Sequence, residues 1–443
     1  MNRLKRLMMV VAFLQLTSLV IVVRNQIPAL ARGSESPFAA PTAFDSADFR
    51  VTVFAKNLNF PYGMVVLPDG SLLYGSSVPI EGGGSYFAST GELIRVTDQN
   101  DDGVADDEGT VLANGLPGTL TALERAGNLI AVTSAELGSE RISFLRRGAD
   151  WASPLELVGS INFDFQQFEH QSYGLVARKH AGSGDEYDLF FNIGAHGNDA
   201  AGATVPTSGL IDATLDDATV YMVTIKDAGP GQAPIVSAPE LIATGLRNAM
   251  AMAFAPGTGD LLLVDNGIDG LEHPREPLSV DELDRIPAAQ IGGEPEDFGF
   301  PNAYIEYRTG AQIGSGGIQP EMTFQPIDGS ESEGPAGMAI APRDFPKGLN
   351  HGVYIGFHGQ FDWTGQDNEE NPLVYADPST GAYRHVIENR EPGVGHLDSL
   401  LSTHDTLYVA DLCADSSLAE ATPCGVIYQI KAMTEPATPA ATP

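Results

Sequence analysis

Six times along the chain a short apolar run meets a Gly, Asp or Asn turn and is answered by a second run rich in Leu, Val and Tyr. The copies read FPYGMVVLPDGSLLYGSS from Phe60, LPGTLTALERAGNLIAVTS from Leu116, HQSYGLVARKHAGSGDEYDLFFNIGAHGN from His170, GLRNAMAMAFAP from Gly245, GPAGMAIAPRDFP running on to HGVYIGFHGQ, and GHLDSLLSTHDTLYVADL from Gly395. Run, turn and run are the sequence form of two neighbouring antiparallel strands. A third strand-like run follows each copy: GELIRV, RISFLRR, TVYMVTI, DELDRI, NPLVYA and GVIYQIK. A loose repeat of this kind describes sheets arranged in a ring with insertions rather than a tight solenoid. Two stacked β-sandwiches would not explain why one phrase returns six times. FRVTVFA, residues 49–55, is placed to supply an outer strand to the last sheet, closing the ring and removing exposed edges. The expected class is therefore all-β, a single six-bladed β-propeller over residues 45–431. Its 443 residues fit one such ring, and no Ser/Gly or Pro linker divides the middle.

The ends carry different signals. Arg3, Lys5 and Arg6, an apolar run from Leu7 to Val23 and the Ala29-Leu30-Ala31 triplet read as an export signal cleaved after Ala31. The run is also long enough to serve as a retained membrane anchor. Either form puts the bulk of the protein outside the cytoplasm, secreted, periplasmic or extracellular. A linker is expected over 32–44, and the Pro/Thr/Ala-rich 432–443 reads as a disordered tail. In an oxidising compartment Cys413 and Cys424, eleven positions apart, are expected to close a local disulfide loop. The formal charge of −34 disfavours nucleic acid and anionic membrane surfaces as partners, and suits calcium, a cationic redox partner or simple solubility.

Three places carry residues suited to chemistry. In DQNDDGVADDEG the side chains of Asp98, Asn100, Asp102 and Asp106 alternate around Gly103, a spacing of oxygen ligands suited to a hard cation of calcium's size. Lacking a Glu at the twelfth position, it is no full EF-hand, and an acidic hairpin that binds nothing is the competing reading. His170 and Gln171 precede the third sheet's inner strand, and Arg247 and Asn248 precede that of the fourth. In a propeller such positions face the central channel. There a neutral imidazole accepts a proton from a substrate hydroxyl, with Arg247 holding developing negative charge and Asn248 orienting the substrate. The bland alternatives are a hydrogen-bonded structural histidine and a salt bridge between blades.

The chain resembles the soluble quinoprotein glucose dehydrogenases and sorbosone dehydrogenases. The resemblance spans most of residues 45–431 and is carried by HQSYGLVA, GLRNAMAMAFAPGTGDLLLVDNG, DELDRI with EDFGFPNAY, and GMAIAPRDFPKGLNHGVYIGFHGQFDW. It implies a six-bladed propeller that oxidises a sugar or aldose hydroxyl with pyrroloquinoline quinone (PQQ) and calcium, passing electrons to an external acceptor. It makes His170 the general base and Arg247 and Asn248 the cofactor and transition-state contacts, with Gln171 beside them. Asn266 and Gly267 fall on the calcium side of the quinone, and Asp281 and Glu282 on a second calcium region. The chain departs from the family pattern at the quinone's cationic grips. His358 stands where a Lys is expected and GHLD, 395–398, where two Arg are expected, while NIGAHGND offers Ala195 and His196 in place of an acidic residue. His196, His358 and His396 are the candidates to substitute for those cations. A non-catalytic extracellular propeller that binds a glycan or protein at the same mouth is the alternative function, and a calcium-dependent lactonase-like hydrolase the third.

Overall fold

The computed structural model describes residues 48–81, 85–166, 168–270, 277–325, 334–359, 372–387, 395–413, 418 and 423–433. The expected signal or anchor, the linker at 32–44, the tail from 434 and the FDW of the fifth copy lie outside the described residues.

Six sheets of at least four strands account for the six copies, and no helix occurs among the described residues. From the centre outward, blade 1 holds Pro61–Val66, Leu72–Pro79, Ser89–Val96 and Thr110–Pro117. Blade 2 holds Thr119–Ala126, Leu129–Glu136, Ser139–Arg146 and Glu156–Asp164. Blade 3 holds Leu175–Lys179, Glu186–Ile193, Thr219–Lys226 and Glu240–Thr244. Blade 4 holds Ala249–Phe254, Leu261–Asp265, Asp281–Ile286 and Met322–Phe324. Blade 5 holds Pro335–Ile340, Val353–Phe357, Leu373–Asp377 and Ala382–Ile387. Blade 6 holds Ser399–Ser402, Thr406–Asp411 and Gly425–Ala432, completed by the N-terminal Phe49–Leu58. That last pairing is antiparallel, from Phe49 opposite Ala432 to Leu58 opposite Gly425, so the two ends of the ring share one sheet. The strand at the C-terminal side reaches Ala432, one residue past the expected boundary.

Middle strands such as Leu261–Asp265 and Val353–Phe357 are buried at every position. Each is covered on both faces by neighbouring blades, so it reads as a continuous apolar run rather than an alternating one. The core accordingly lies between blades. Leu262, Val264 and Leu283 of blade 4 pack with Met338, Val353, Ile355 and Phe357 of blade 5, and Val65, Leu73 and Leu93 of blade 1 with Leu120, Ile130 and Val132 of blade 2.

Four inner strands begin with a bulge, at Tyr62/Met64, Leu120/Ala122, Ala249/Ala251 and Pro335/Gly337. A bulge puts an extra residue on one strand and re-aims the side chain there. The extra residues, Gly63, Thr121, Met250 and Ala336, all line the central channel. At Gly63 the backbone takes φ +71°, and a Cβ would sit 2.7 Å from that of Leu123; only glycine lets blades 1 and 2 approach this closely.

Candidate functional site

The segments before the inner strands are held by one device. The last polar residue of a blade's second strand turns its side chain back to accept two backbone N–H groups. In blade 3, Asn192 Oδ1 accepts from Tyr173 N and Gly174 N at 2.9 and 2.8 Å. In blade 4, Asp265 accepts from Arg247 N at 2.8 Å and Asn248 N at 2.6 Å. In blade 6, Asp411 accepts from Gly395 N at 2.7 Å and His396 N at 2.9 Å. These segments lack a ladder partner, and a buried unpaired N–H is costly, so the side chain completes the pairing. Burial nonetheless raises the Asp265 carboxyl to about 6 and that of Asp411 to about 7.

His170 and Arg247 are joined through Ala195. The Ala195 carbonyl accepts from His170 N at 3.3 Å, and its N–H donates to the Arg247 carbonyl at 2.8 Å. His170 Nδ1 lies 3.3 Å from the same Ala195 oxygen. Contact with a carbonyl places the proton on Nδ1 and leaves the lone pair on Nε2. Burial first, and the charge of Arg247 second, push this imidazole down to about 3, against the opposing hydrogen bond to Ala195. His170 is therefore neutral at any working pH. Arg247 is 2% exposed; its Nε donates to the Asn198 carbonyl at 3.0 Å, and its Nη2 to Asn198 Oδ1 at 2.7 Å and Asp269 Oδ2 at 2.6 Å. The ion pair lies within blade 4, while Asn198 reaches over from blade 3. Arg247 thus lines the mouth and is ion-paired, but to Asp269 of its own blade rather than across blades as the bland alternative had it.

His170, Arg247 and Asn248 share a cavity of about 420 Å³ at the mouth of the channel, within the size range of small-molecule sites. Met250, Asn266, Asp269, His358 and Asp398 also line it, as do Glu169, Tyr62, Tyr86, Phe87 and Tyr173. His358 Nδ1 lies 2.7 Å from Asp398 Oδ2, and its ring stacks on that of His396 at 4.2 Å and 20°, with His396 Nδ1 bonded to the His358 carbonyl.

Other expected site residues point elsewhere. His196 does not line the cavity: its Nδ1 sits 2.6 Å from Asp217 Oδ2, so the three histidines do not cluster, and only His358 and His396 meet. Gln171 turns its amide to the Glu136 carbonyl at 3.1 Å. Asn266 lines the cavity as a strut, its amide oriented to donate to the carbonyls of Asn248 at 3.2 Å and Pro335 at 3.3 Å. Gly267 N donates to Asp281 Oδ1 at 2.7 Å, beneath the pocket. Glu282, opposite Asp265 in register, is raised to about 8, chiefly by burial and then by the charges of Asp265 and Asp281.

In the 98–109 loop the carboxylates cap their own turn. Asp98 accepts from Asp102 N at 3.1 Å and Gly103 N at 2.9 Å, Asn100 Nδ2 donates to Asp102 Oδ2 at 2.9 Å, and Asp106 accepts from Gln99 N at 2.7 Å. Among the described residues no group of three or more His, Cys, Asp or Glu side chains is arranged to hold a metal ion. Cys413 and Cys424 are disulfide-bonded.

Among the described lining residues Arg247 is the one guanidinium or ammonium, facing the carboxylates of Glu169, Asp269 and Asp398. Two lining acceptors, Asn248 Oδ1 and Asp398 Oδ1, and one lining hydroxyl, Tyr62 Oη, are buried without a hydrogen-bond partner, so the wall offers unsatisfied acceptors and a donor but little positive charge. A tricarboxylate such as PQQ does not fit this described wall by itself. A polyhydroxylated ligand, whose hydroxyls both donate and accept, does.

Sequence reasoning missed Tyr62, Tyr86, Phe87, Glu169, Tyr173, Asp269 and Asp398. For Glu169 the signal was adjacency to His170; the others come from segments whose convergence only the ring creates.

No family model and no curated protein matches the sequence. Solved structures do match in fold. A Trichoderma reesei carbohydrate-active enzyme of family AA12, in a calcium structure, is 14% identical with a TM-score of 0.59, covering 91% of this chain and 100% of that one. The PQQ-bound aldose sugar dehydrogenase of Streptomyces coelicolor is 16% identical with a TM-score of 0.50, covering 89% and 100%. The PQQ domain of Coprinopsis cinerea pyranose dehydrogenase, in its holo form, is 14% identical with a TM-score of 0.50, covering 86% and 95%. Likeness at these identities is likeness of fold, and fold alone does not carry function.

Proposed function

We propose that this protein is a sugar oxidoreductase whose mouth cavity binds an aldose and uses His170 Nε2 to take the proton of the hydroxyl being oxidised. The observation that carries the reading is the neutral imidazole of His170 fixed through Ala195 beside Arg247 in a cavity lined by unpartnered polar atoms of Tyr62, Asn248 and Asp398. Oxidation of an alcohol to a carbonyl releases one proton and one hydride. His170 receives the first, and Arg247 and its Asp269 partner set the charge beside it. The hydride needs a two-electron acceptor that the described wall does not itself supply; PQQ would supply that chemistry only if a cation accompanied it to offset the acidic wall. PQQ is the acceptor to test first because two proteins of like fold carry it in their names, and the acidic wall requires that it come with a cation such as calcium. An external acceptor then removes the electrons. The N-terminal signal pattern and the disulfide support a site outside the cytoplasm.

A second reading is a propeller that binds a glycan or protein without redox chemistry, favoured by the prior engagement of Arg247 by Asp269. Calorimetry of the protein with PQQ and calcium, added singly and together, followed by assay of an artificial acceptor with an aldose panel, separates the two. Calcium-dependent PQQ binding with sugar-dependent acceptor reduction supports the oxidoreductase. Sugar binding with neither PQQ binding nor turnover assigns the binding propeller, and binding of no sugar removes both sugar readings.

A further inference from the structure

The channel continues beyond the mouth cavity. A second cavity of about 300 Å³ runs along the inner strands to Ala177, Phe254, Ile340 and Ser402, and Tyr62, Tyr173, Met250 and Asp398 line both cavities. These four belong to the inner strands of blades 1, 3, 4 and 6 or to the residues entering them. They form a waist where the two cavities meet.

Asp398 is 3% exposed and Tyr62 4%. Asp398 Oδ2 lies 2.7 Å from His358 Nδ1, whereas its Oδ1, like Tyr62 Oη, is buried without a hydrogen-bond partner. The carboxylate is held in place from behind: Asp411 anchors Gly395 N and His396 N at 2.7 and 2.9 Å, and the His358 ring stacks on that of His396. Burial first, and the Asp398 charge after it, raise the Tyr62 phenol above its ordinary range. Burial also leads for Tyr86 and Tyr173, followed by Tyr62 in the one and Glu140 in the other, with Asp398 next in each. Three neutral phenols thus gather around one carboxylate. Arg247, the one guanidinium or ammonium among the described lining residues, is engaged by Asn198 and Asp269 instead. A buried carboxylate oxygen with no donor projects a strong negative potential into a low-dielectric space.

We infer that the waist binds an organic ammonium group, held by Asp398 Oδ1 and Tyr62 Oη among the rings of Tyr62, Tyr86 and Tyr173. The donor set selects this class. A hard metal cation takes about six or more oxygen ligands, and among the described residues no three metal-binding side chains gather. An alkylammonium is weakly hydrated, accepts a single carboxylate as counter-ion and is drawn to tyrosine rings by their quadrupole. The thioether of Met250 adds a soft apolar wall for its methyl or methylene groups. A neutral molecule of the same shape would leave the Asp398 charge uncompensated. The inference concerns the charge at the waist and does not depend on what is oxidised beside His170.

The test is calorimetry of the full chain, without PQQ, with choline and with its uncharged isostere 3,3-dimethyl-1-butanol at constant ionic strength. Choline is charged at every pH, so its own titration does not enter. Wild type should bind choline about tenfold or more tighter than the alcohol. Asp398→Asn should remove most of that preference, and Tyr173→Leu should weaken choline binding by about three- to tenfold. Equal binding of the two probes by wild type, no binding of choline, or a preference that survives Asp398→Asn refutes the site. If sodium displaces choline as well as tetramethylammonium does, a small inorganic cation is the occupant and the organic class is refuted. The wild-type preference needs no variant, so the test holds even where melting curves show that Asp398→Asn has lost its fold. Sugars titrated into the same wild type read the sugar proposal separately, and either can fail alone.

Discussion

Arg247 meets Asp269 at 2.6 Å, and the arginine side chain is 3% exposed against 26% for the aspartate. The positive charge nearest His170 thus comes with its own counter-ion. Removing the guanidinium takes the ion-pair partner away from a half-buried carboxylate, and breaking a buried pair in this way is costly. Arg247→Ala should lower unfolding free energy by about 2 to 4 kcal/mol, whereas Asp269→Asn should leave Arg247 freer to meet an anion and tighten PQQ binding in calcium. Urea melts and PQQ calorimetry check the two arms. Weaker PQQ binding by Asp269→Asn would show that the pair, rather than the guanidinium, shapes the site.

The acid side of the activity profile should lack a limb at the ordinary histidine value, because His170 is pushed down to about 3. Between pH 5 and 7 it stays neutral and able to accept a proton. Arg247→Gln removes one of the two causes of that shift and should move the His170 titration upward, which NMR of its ring protons will show. His170→Ala should reduce turnover by about 10² to 10⁴ without loss of fold. A His170 signal titrating near 6.5 in the wild type would overturn this account of its environment.

Cys413 and Cys424 pack with Phe60, Tyr62, Tyr86 and Leu418, so the disulfide underlies the aromatic wall of the mouth. Replacing both by Ser should lower stability by about 2 to 3 kcal/mol. It should also speed hydrogen exchange at the Tyr86 amide, which Leu418 caps. Unchanged exchange there would mean that the wall is held by packing alone.

Glu124 lines the channel away from the mouth, and burial raises its carboxyl to about 8 despite the Arg125 N–H, which donates to it at 3.1 Å, and the Arg125 charge. In the unfolded chain the same group releases its proton near the ordinary 4.5. The folded state therefore holds a proton that the unfolded state has lost. Its contribution is fully present below about 4.5, declines above it and is lost as pH rises through about 8. Urea midpoints of the wild type should fall more steeply between pH 5 and 8 than those of Glu124→Gln. Parallel curves for the two proteins would refute it.

The ring itself was legible because each blade repeats a local pattern. Strand runs, turns and the closing FRVTVFA depend on neighbours in sequence and on the period of burial, and they appear where the sequence put them, from the pairing of Phe49 with Ala432 onward. Fourth strands such as Thr110–Pro117 and Ala382–Ile387 were not read from the sequence. They are more exposed, with only Leu112 and Leu116 of the first and Val386 and Ile387 of the second buried, so packing leaves a weaker apolar signature.

At the site, sequence placed His170, Arg247 and Asn248 before their inner strands, and the ring brought them into one cavity. It could not show that His196 turns to Asp217 or Gln171 to the Glu136 carbonyl, because a side chain's direction follows from partners far along the chain. Nor could it show that Asp269 meets Arg247, that Asp398 faces His358 or that Phe87 reaches the mouth. The repeat fixes how many blades surround the channel. What the channel's mouth can bind is decided by which loops converge there, and that convergence exists only once the ring has closed.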